Sequence, residues 1–299
     1  MKARSRFQLV VGVILFGLGA GEVCGDTLTW TAGTNDWHAV QNWTNWAEPA
    51  ATRVPADGDT AVVTNAGARV LLAQPSAYLG ALVISNAVVS CSNWDTTLYA
   101  TNLTILKGGL LTCEGPFTNN AMSNRVCVTC STLVIETNGA ITVDGKGWAG
   151  GTGYYGDGQG PGGGGILSGT GGGGTSGYFF GGSYGGMGRI GNPKQCNLLN
   201  QTAYCCLATN TYGSAEAPLH PGSGGTAPHQ TVSGYMGGSG GGAVRIVADH
   251  VVVNGKISAN GTKPVGSSHG SGGSGGGIYI TCSTITGTNG SITVNAGPS

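Results

Sequence analysis

Acidic side chains are the first place to look for chemistry in this chain, because glycosidic hydrolysis needs two carboxyl groups flanking the scissile bond. Asp95, Glu114, Glu136, Asp144, Asp157 and Asp249 are the candidates. They form no clustered motif. Only a fold that stacks successive turns of chain would bring Glu114, Glu136 and Asp144 together. A lyase needs a Lys or Arg base beside calcium-binding acids. The cations in range are Lys107, Lys146, Arg125, Arg189, Arg245, Lys256 and Lys263. His38, His220, His229, His250 and His269 are scattered and show no triad or metal-ligand spacing. The expectation is no catalytic set, no metal site and no cofactor.

Thiols are the second source of chemistry. Apart from Cys24, the cysteines are Cys91, Cys113, Cys127, Cys130, Cys196, Cys205, Cys206 and Cys282. An even number in an exported chain points to disulfides or buried thiols, so all eight are candidate disulfide cysteines. Cys127-x-x-Cys130 has the spacing of a redox pair or half a zinc site. Its neighbours Val126, Val128, Leu133 and Ile135 read as strand, whereas a redox pair wants a strand leading into a helix. No second ligand pair stands at zinc spacing. Cys205 and Cys206 are adjacent and are expected to take different partners, with Cys196 a candidate for one of them.

Aromatic rings are the third. Four of the six tryptophans, Trp30, Trp37, Trp43 and Trp46, fall within 17 residues. Trp37, Trp43 and Trp46 are candidates for stacking on sugar rings. The competing account makes them a cap over the open end of a repeat structure, and it is preferred because terminal repeats must differ from internal ones to stay soluble. Asp57-Gly58-Asp59 has the look of a calcium loop, but two carboxylates in a turn are usually turn chemistry.

The elements that would position these groups repeat along the chain. Leu82-Val83-Ile84 precedes Ala87-Val88-Val89, and Leu103-Thr104-Ile105 precedes Gly109-Leu110-Leu111. Leu133-Val134-Ile135, Val251-Val252-Val253 and Ile285 open three further copies, turned at Asn138-Gly139, Asn254-Gly255 and Asn289-Gly290. Asn-Gly turns a chain sharply because both residues tolerate positive φ. Such turns also make hairpins. Spacing favours a solenoid, since Leu82 and Leu103 are one coil apart, as are Cys91 and Cys113. Cys91 is then expected directly on Cys113. The fold expected is all-β, a right-handed parallel β-helix with a glycine-rich, partly irregular insertion.

Composition agrees. The chain has 299 residues, 59 of them glycine, and only 9% are charged, with 13 bases against 13 acids. No basic surplus exists to neutralise phosphates, so nucleic-acid binding is excluded. Glycine lacks the strict third-residue period of collagen. From Gly145 to Gly191 glycine tracts alternate with Tyr154, Tyr155, Tyr178, Phe179, Phe180 and Tyr184. This segment is either a flexible linker or an ordered bundle of close-packed extended strands, and its aromatics and cysteines favour partial order. Lys2, Arg4 and Arg6, then an apolar run from Leu9 to Ala20 and small residues around Cys24, predict a cleaved signal peptide. The run is too short for a membrane span, which takes roughly 20 residues. The protein is expected to be secreted or held at the cell surface, with no membrane span in the mature chain.

Trp30, Trp37, Asn42-Trp43, Pro55 and Gly58-Asp59-Thr60-Ala61-Val62 resemble the opening unit of bacterial autotransporter-passenger-type β-helix proteins. Gly237 to Gly242 leading into Ala243-Val-Arg-Ile246, and Gly270 to Gly277 leading into Ile278-Tyr-Ile280, are similar to glycine-rich β-helix surface proteins. The resemblance implies a structural or adhesive surface solenoid, and it implies no reaction. The alternative is a polysaccharide-binding module or a polysaccharide-degrading lyase or hydrolase. Expected partners are extracellular polysaccharide or other surface proteins. The expected organisation is residues 1–25 signal peptide, 26–72 cap and first coil, 73–145 coils, 146–242 glycine-rich insertion with cysteines, and 243–299 C-terminal coils. Ser299 follows a coil directly. An uncapped coil favours self-association, or the chain is a fragment of a longer protein.

Overall fold

The computed structural model describes residues 25–118, 121–153, 156–168, 177–186, 188, 211–228, 234–266 and 270–298. Residues 1–24 of the expected signal peptide, Cys196, Cys205, Cys206, Arg189, His229 and His269 lie outside the described residues.

The described chain is all-β apart from one short 3₁₀ turn at Val40–Asn42. Strands β1 (Thr27–Trp30), β4 (Thr60–Val63), β6 (Tyr78–Ile84), β8 (Leu98–Ile105), β10 (Val126–Ile135), β14 (Ala243–Val253), β16 (Gly277–Thr281) and β17 (Thr284–Thr286) form one parallel sheet. β3 (Trp43–Asn45) closes its first edge by pairing antiparallel with β1. A second parallel sheet runs β2 (Thr34–Asp36), β5 (Arg69–Leu72), β7 (Val88–Cys91), β9 (Leu110–Cys113), β11 (Ala140–Thr142), β15 (Lys256–Ser258) and β18 (Ser291–Thr293). Along the sequence the two sheets alternate. Each turn of chain gives one strand to each sheet and stacks on the turn before it. Two antiparallel pairs depart from this, β3 on β1 and the hairpin of β12 (Ile166–Ser168) with β13 (Gly177–Phe179).

The repeat in the sequence is the register of the first sheet. Leu28, Ala61, Leu82, Leu103, Leu133, Val251 and Ile285 pair in one row across seven strands. All but Ile285 are fully buried. Val70, Val89, Leu111, Ile141, Ile257 and Ile292 form the facing row in the second sheet. A strand presents alternate residues to opposite faces, so each coil offers one apolar edge it cannot bury alone. Stacking supplies the cover, and in the last coil Ile285, Ile292 and Val294 keep 50%, 45% and 43% of their surface exposed.

Long strands of the first sheet share one irregular place. Gly80-Ala81, Thr101-Asn102, Ser131-Thr132 and Asp249-His250 are successive residues of which neither is buried, so strict alternation breaks there. In the last coil the same place separates β16 from β17.

Three thiols, Cys91, Cys113 and Cys130, occupy the core, unbridged. Cys91 pairs in register with Cys113, and both are fully buried. Cys91, Cys113, Cys127, Cys130 and Cys282 are free, which corrects the disulfide expectation for these five. Side chains in register on parallel strands sit about 4.7–4.9 Å apart, whereas a disulfide wants its Cβ atoms at about 3.5–4.5 Å. Cys127 and Cys130 stand three apart on β10, so they point to opposite faces. Burial pushes the Cys113 and Cys130 thiols up to about 12 and raises Cys91 as well. Protonated, buried thiols are poor nucleophiles.

Glycine tracts are ordered wherever they are described. Runs at 147–151, 222–225, 237–242 and 271–276 lie side by side, joined backbone to backbone. Gly147 donates to Gly240 (2.8 Å), Gly222 to Gly241 (2.7 Å), Gly225 to Gly238 (2.8 Å) and Gly241 to Ser274 (2.9 Å). These runs follow β11 and β15, so excursions from successive coils meet on one side of the stack. The requirement for glycine is steric: a Cβ on Gly150 would lie 1.9 Å from the Gly237 carbonyl oxygen.

Candidate functional site

The clustered tryptophans differ in exposure. Trp30, Trp37 and Trp43 are fully buried, and their rings pack edge to face, Trp30 on Trp43 at 5.1 Å and Trp37 on Trp43 at 4.8 Å. Trp43 Nε1 donates to the Trp37 carbonyl at 2.7 Å. Faces closed by other rings cannot stack on a sugar. The platform of Trp37, Trp43 and Trp46 therefore reduces to Trp46, which is 76% exposed.

The Asp57-Gly58-Asp59 turn is held by a cation of the protein itself. Asp59 is 3% exposed and accepts N–H groups from Asp26 (2.9 Å) and Ala56 (2.7 Å). Arg53 grips its carboxylate and also reaches Asp26 at 2.6 Å. Asp57 accepts the Tyr78 N–H at 2.8 Å. Burial works against ionisation of Asp59, but Arg53 and the two backbone donors outweigh it and hold the pKa below the ordinary value.

Glu114 and Asp144 occupy equivalent positions after β9 and β11, whose pairing sets Leu111 on Ile141. Their side chains diverge along the stack. Glu114 reaches back to Ser90 and to Arg69, which it pairs at 2.6 Å. Asp144 reaches forward to Lys256 (3.1 Å), the Ser258 hydroxyl (2.9 Å) and the Asn260 N–H (2.6 Å). Hydroxyls link the coils between them: Thr112 donates to the Thr142 carbonyl (2.6 Å), and the Thr142 and Ser258 hydroxyls lie 2.7 Å apart. One outward row of the second sheet, Ser90, Thr112, Thr142 and Ser258, is thus a polar ladder, running beside an apolar row of Val88, Leu110 and Ala140.

Desolvation opposes ionisation of Glu114, yet Ser90, Arg69 and Lys146 lower its pKa overall. Asp144 is lowered against its own desolvation by Asn260, Lys256 and Ser258. A glycosidic general acid needs the reverse, a carboxyl that keeps its proton. Glu136 accepts only a long 3.4 Å bond from Asn254. Asp95, Asp157 and Asp249 are exposed and stand apart on separate coils and loops.

No family model, curated protein or solved structure matches this chain.

Three features of the surface were not foreseen. Tyr78 and Tyr99 pair in register on the outer face of the first sheet, their ring centroids 4.4 Å apart and their planes tilted by 31°, with Tyr78 64% exposed. Nearby, the Arg125 guanidinium sits 4.7 Å over the Trp94 ring. A cavity of about 520 Å³ lies between Gly181–Gly188 and Gly272–Gly275, walled by Tyr184, Val294 and Pro298. Its lining is mostly glycine backbone, suited to contact rather than to proton transfer. Among the described residues, no three His, Cys, Asp or Glu side chains come together to hold a metal.

Acid sensitivity follows from the three lowered carboxylates. A depressed folded pKa stabilises the fold above the unfolded value, near 4, and that stability is lost as pH falls through the folded value. Asp59 dominates, because its side chain is 4% exposed against 37% for Glu114 and 33% for Asp144, where solvent screens the pairs. The urea midpoint is expected to drop below about pH 4. Asp59→Asn is expected to cost about 1.5–3 kcal/mol at neutral pH, the range for hydrogen bonds to a charged group, and to flatten the acid limb.

Proposed function

We propose that this chain is a secreted or cell-surface right-handed parallel β-helix with a structural and adhesive role. Handedness rests on the rule that parallel crossovers within a sheet are right-handed in about 98% of cases. The observation that carries the role is the polar ladder of the second sheet. Its hydroxyls and its two carboxylates are spent on joining one coil to the next, so this face makes a stiff rod. The apolar run after three N-terminal bases supports export, and the order of tryptophans and glycine tracts supports the autotransporter-passenger-type likeness.

A glycan array and a polysaccharide-cleavage screen on the purified chain test this together. Binding without cleavage is the expected result. New reducing or unsaturated ends would overturn it.

A second possibility, a polysaccharide-binding module, draws on Tyr78 and Tyr99 in place of the buried tryptophans. Exposed aromatic pairs offer apolar area with a polar hydroxyl at the rim. On this account Tyr78→Ala lowers glycan retention about tenfold, a loss of the size expected for one aromatic contact, and leaves the melting temperature unchanged. Equal retention by both proteins removes the tyrosines from the binding face.

A further inference from the structure

Four Asn-Gly pairs occur in the chain, at Asn138, Asn254, Asn260 and Asn289. All four lie at or beside coil corners, and the same dipeptide is the one most prone to cyclise, because glycine puts no side chain in the way of its own amide nitrogen. Cyclisation needs that nitrogen free. It also needs an asparagine side chain able to swing onto it. The four sites differ in both respects.

At three corners the glycine N–H is already committed. Gly139 donates to the Glu136 carbonyl (2.8 Å), Gly255 to the Ile135 carbonyl (3.0 Å) and Gly261 to the Asn295 carbonyl (2.8 Å). Two of the three side chains are held too. Asn254 bonds Glu136 and accepts the Thr288 N–H (2.9 Å), while Asn260 bonds Thr293 (3.2 Å) and accepts the Asn295 N–H (2.7 Å). The Asn138 side chain is exposed, but Gly139 is buried. Asn289-Gly290 is unlike these. Both residues are exposed, and among the described residues neither the Gly290 N–H nor the Asn289 side chain has a hydrogen-bond partner. Asn289 shares its left-handed φ with Asn138, 63° against 65°, so the difference between those two corners lies in the glycine N–H.

We propose that Asn289-Gly290 is a site of spontaneous modification, and that the coil-to-coil hydrogen bonds protect the other three pairs. The Gly290 amide nitrogen attacks Asn289 Cγ. The new N–C bond forms, the N–H proton is lost to solvent, and the side-chain nitrogen leaves as ammonia. Water then opens the succinimide at either carbonyl, giving aspartate or isoaspartate. No oxidant or cofactor enters. The product places a negative charge in residues 277–298, a stretch that otherwise contains no Asp, Glu, Lys or Arg. Isoaspartate also lengthens the main chain at the corner leading into β18.

The experiment is peptide mapping by mass spectrometry of the full chain after incubation at mildly alkaline pH, native and in urea. Releasing a typical hydrogen bond before attack slows each protected site roughly two- to tenfold. Asn289 is therefore expected to lead the other three by at least that factor in the native chain, and the four rates are expected to converge in urea. Any of the other three sites converting as fast as Asn289 in the native chain overturns the proposal. So does an intact Asn289 in native protein whose urea control has converted.

Discussion

Gly240→Ala is expected to lower stability by about 3 kcal/mol or more, at the upper end of what overpacking costs, as read from urea midpoints. An alanine Cβ there would stand 1.9 Å from the Gly222 carbonyl oxygen and 2.8 Å from the Ser223 nitrogen. Both obstacles are backbone, so no side chain can swing aside. Moving the 222–225 run away breaks its own hydrogen bonds, Gly222 to Gly241 and Gly225 to Gly238. Shifting 240 instead breaks Gly240 to Trp148 and Gly147 to Gly240. Each loss adds about 1 kcal/mol. Gly33→Ala is the control, since nothing lies within 4 Å of its Cβ position, and it is expected to be neutral within about 0.5 kcal/mol. Equal midpoints for the two variants would mean that the glycine runs behave as a loose linker.

That contrast marks where the sequence was legible. Rows of Leu82, Leu103, Leu133, Val251 and Ile285 could be aligned by eye because an apolar side chain at each coil has one job, to face the axis. Periodicity records such a job. The glycine bundle has none to record. Its order lies in backbone hydrogen bonds, and glycine leaves the same composition whether it permits close packing or mere looseness.

Orientation was the other blind spot. Trp37, Trp43 and Trp46 look equivalent in sequence, yet two are buried and one projects. What separates them is the antiparallel turn that brings β3 back onto β1, a three-dimensional event with no periodic trace. The Arg53–Asp59 lock was missed for a similar reason: its partners are joined through a turn rather than a repeat. Tyr78 and Tyr99 were within reach. They stand at the same offset that relates Leu82 to Leu103, so the alignment of coils already placed one ring over the other. The cysteines were half legible. Stacking of Cys91 on Cys113 followed from their spacing, but a shared row holds two thiols at strand separation, slightly too far apart to bridge.

Core position within a single row gives the last expectation. Leu103 sits in the middle of the stack and is fully buried, whereas Ile285 continues the same row in the last coil and is half exposed. Leu103→Ala removes contacts with Leu82 on one side and Leu133 on the other. Neighbouring strands are fixed by their ladders and cannot collapse into the gap. The cost is expected to fall in the 2–5 kcal/mol range of buried large-to-small changes. Ile285→Ala loses cover from Val251 alone, and its outer half already meets water. Its cost is expected to stay near 1 kcal/mol, about half of a full burial. Urea unfolding of the two variants at neutral pH reads the difference. A stack whose coils support one another must show it. Similar losses at both positions would place the structural support of that row somewhere other than in coil-on-coil burial.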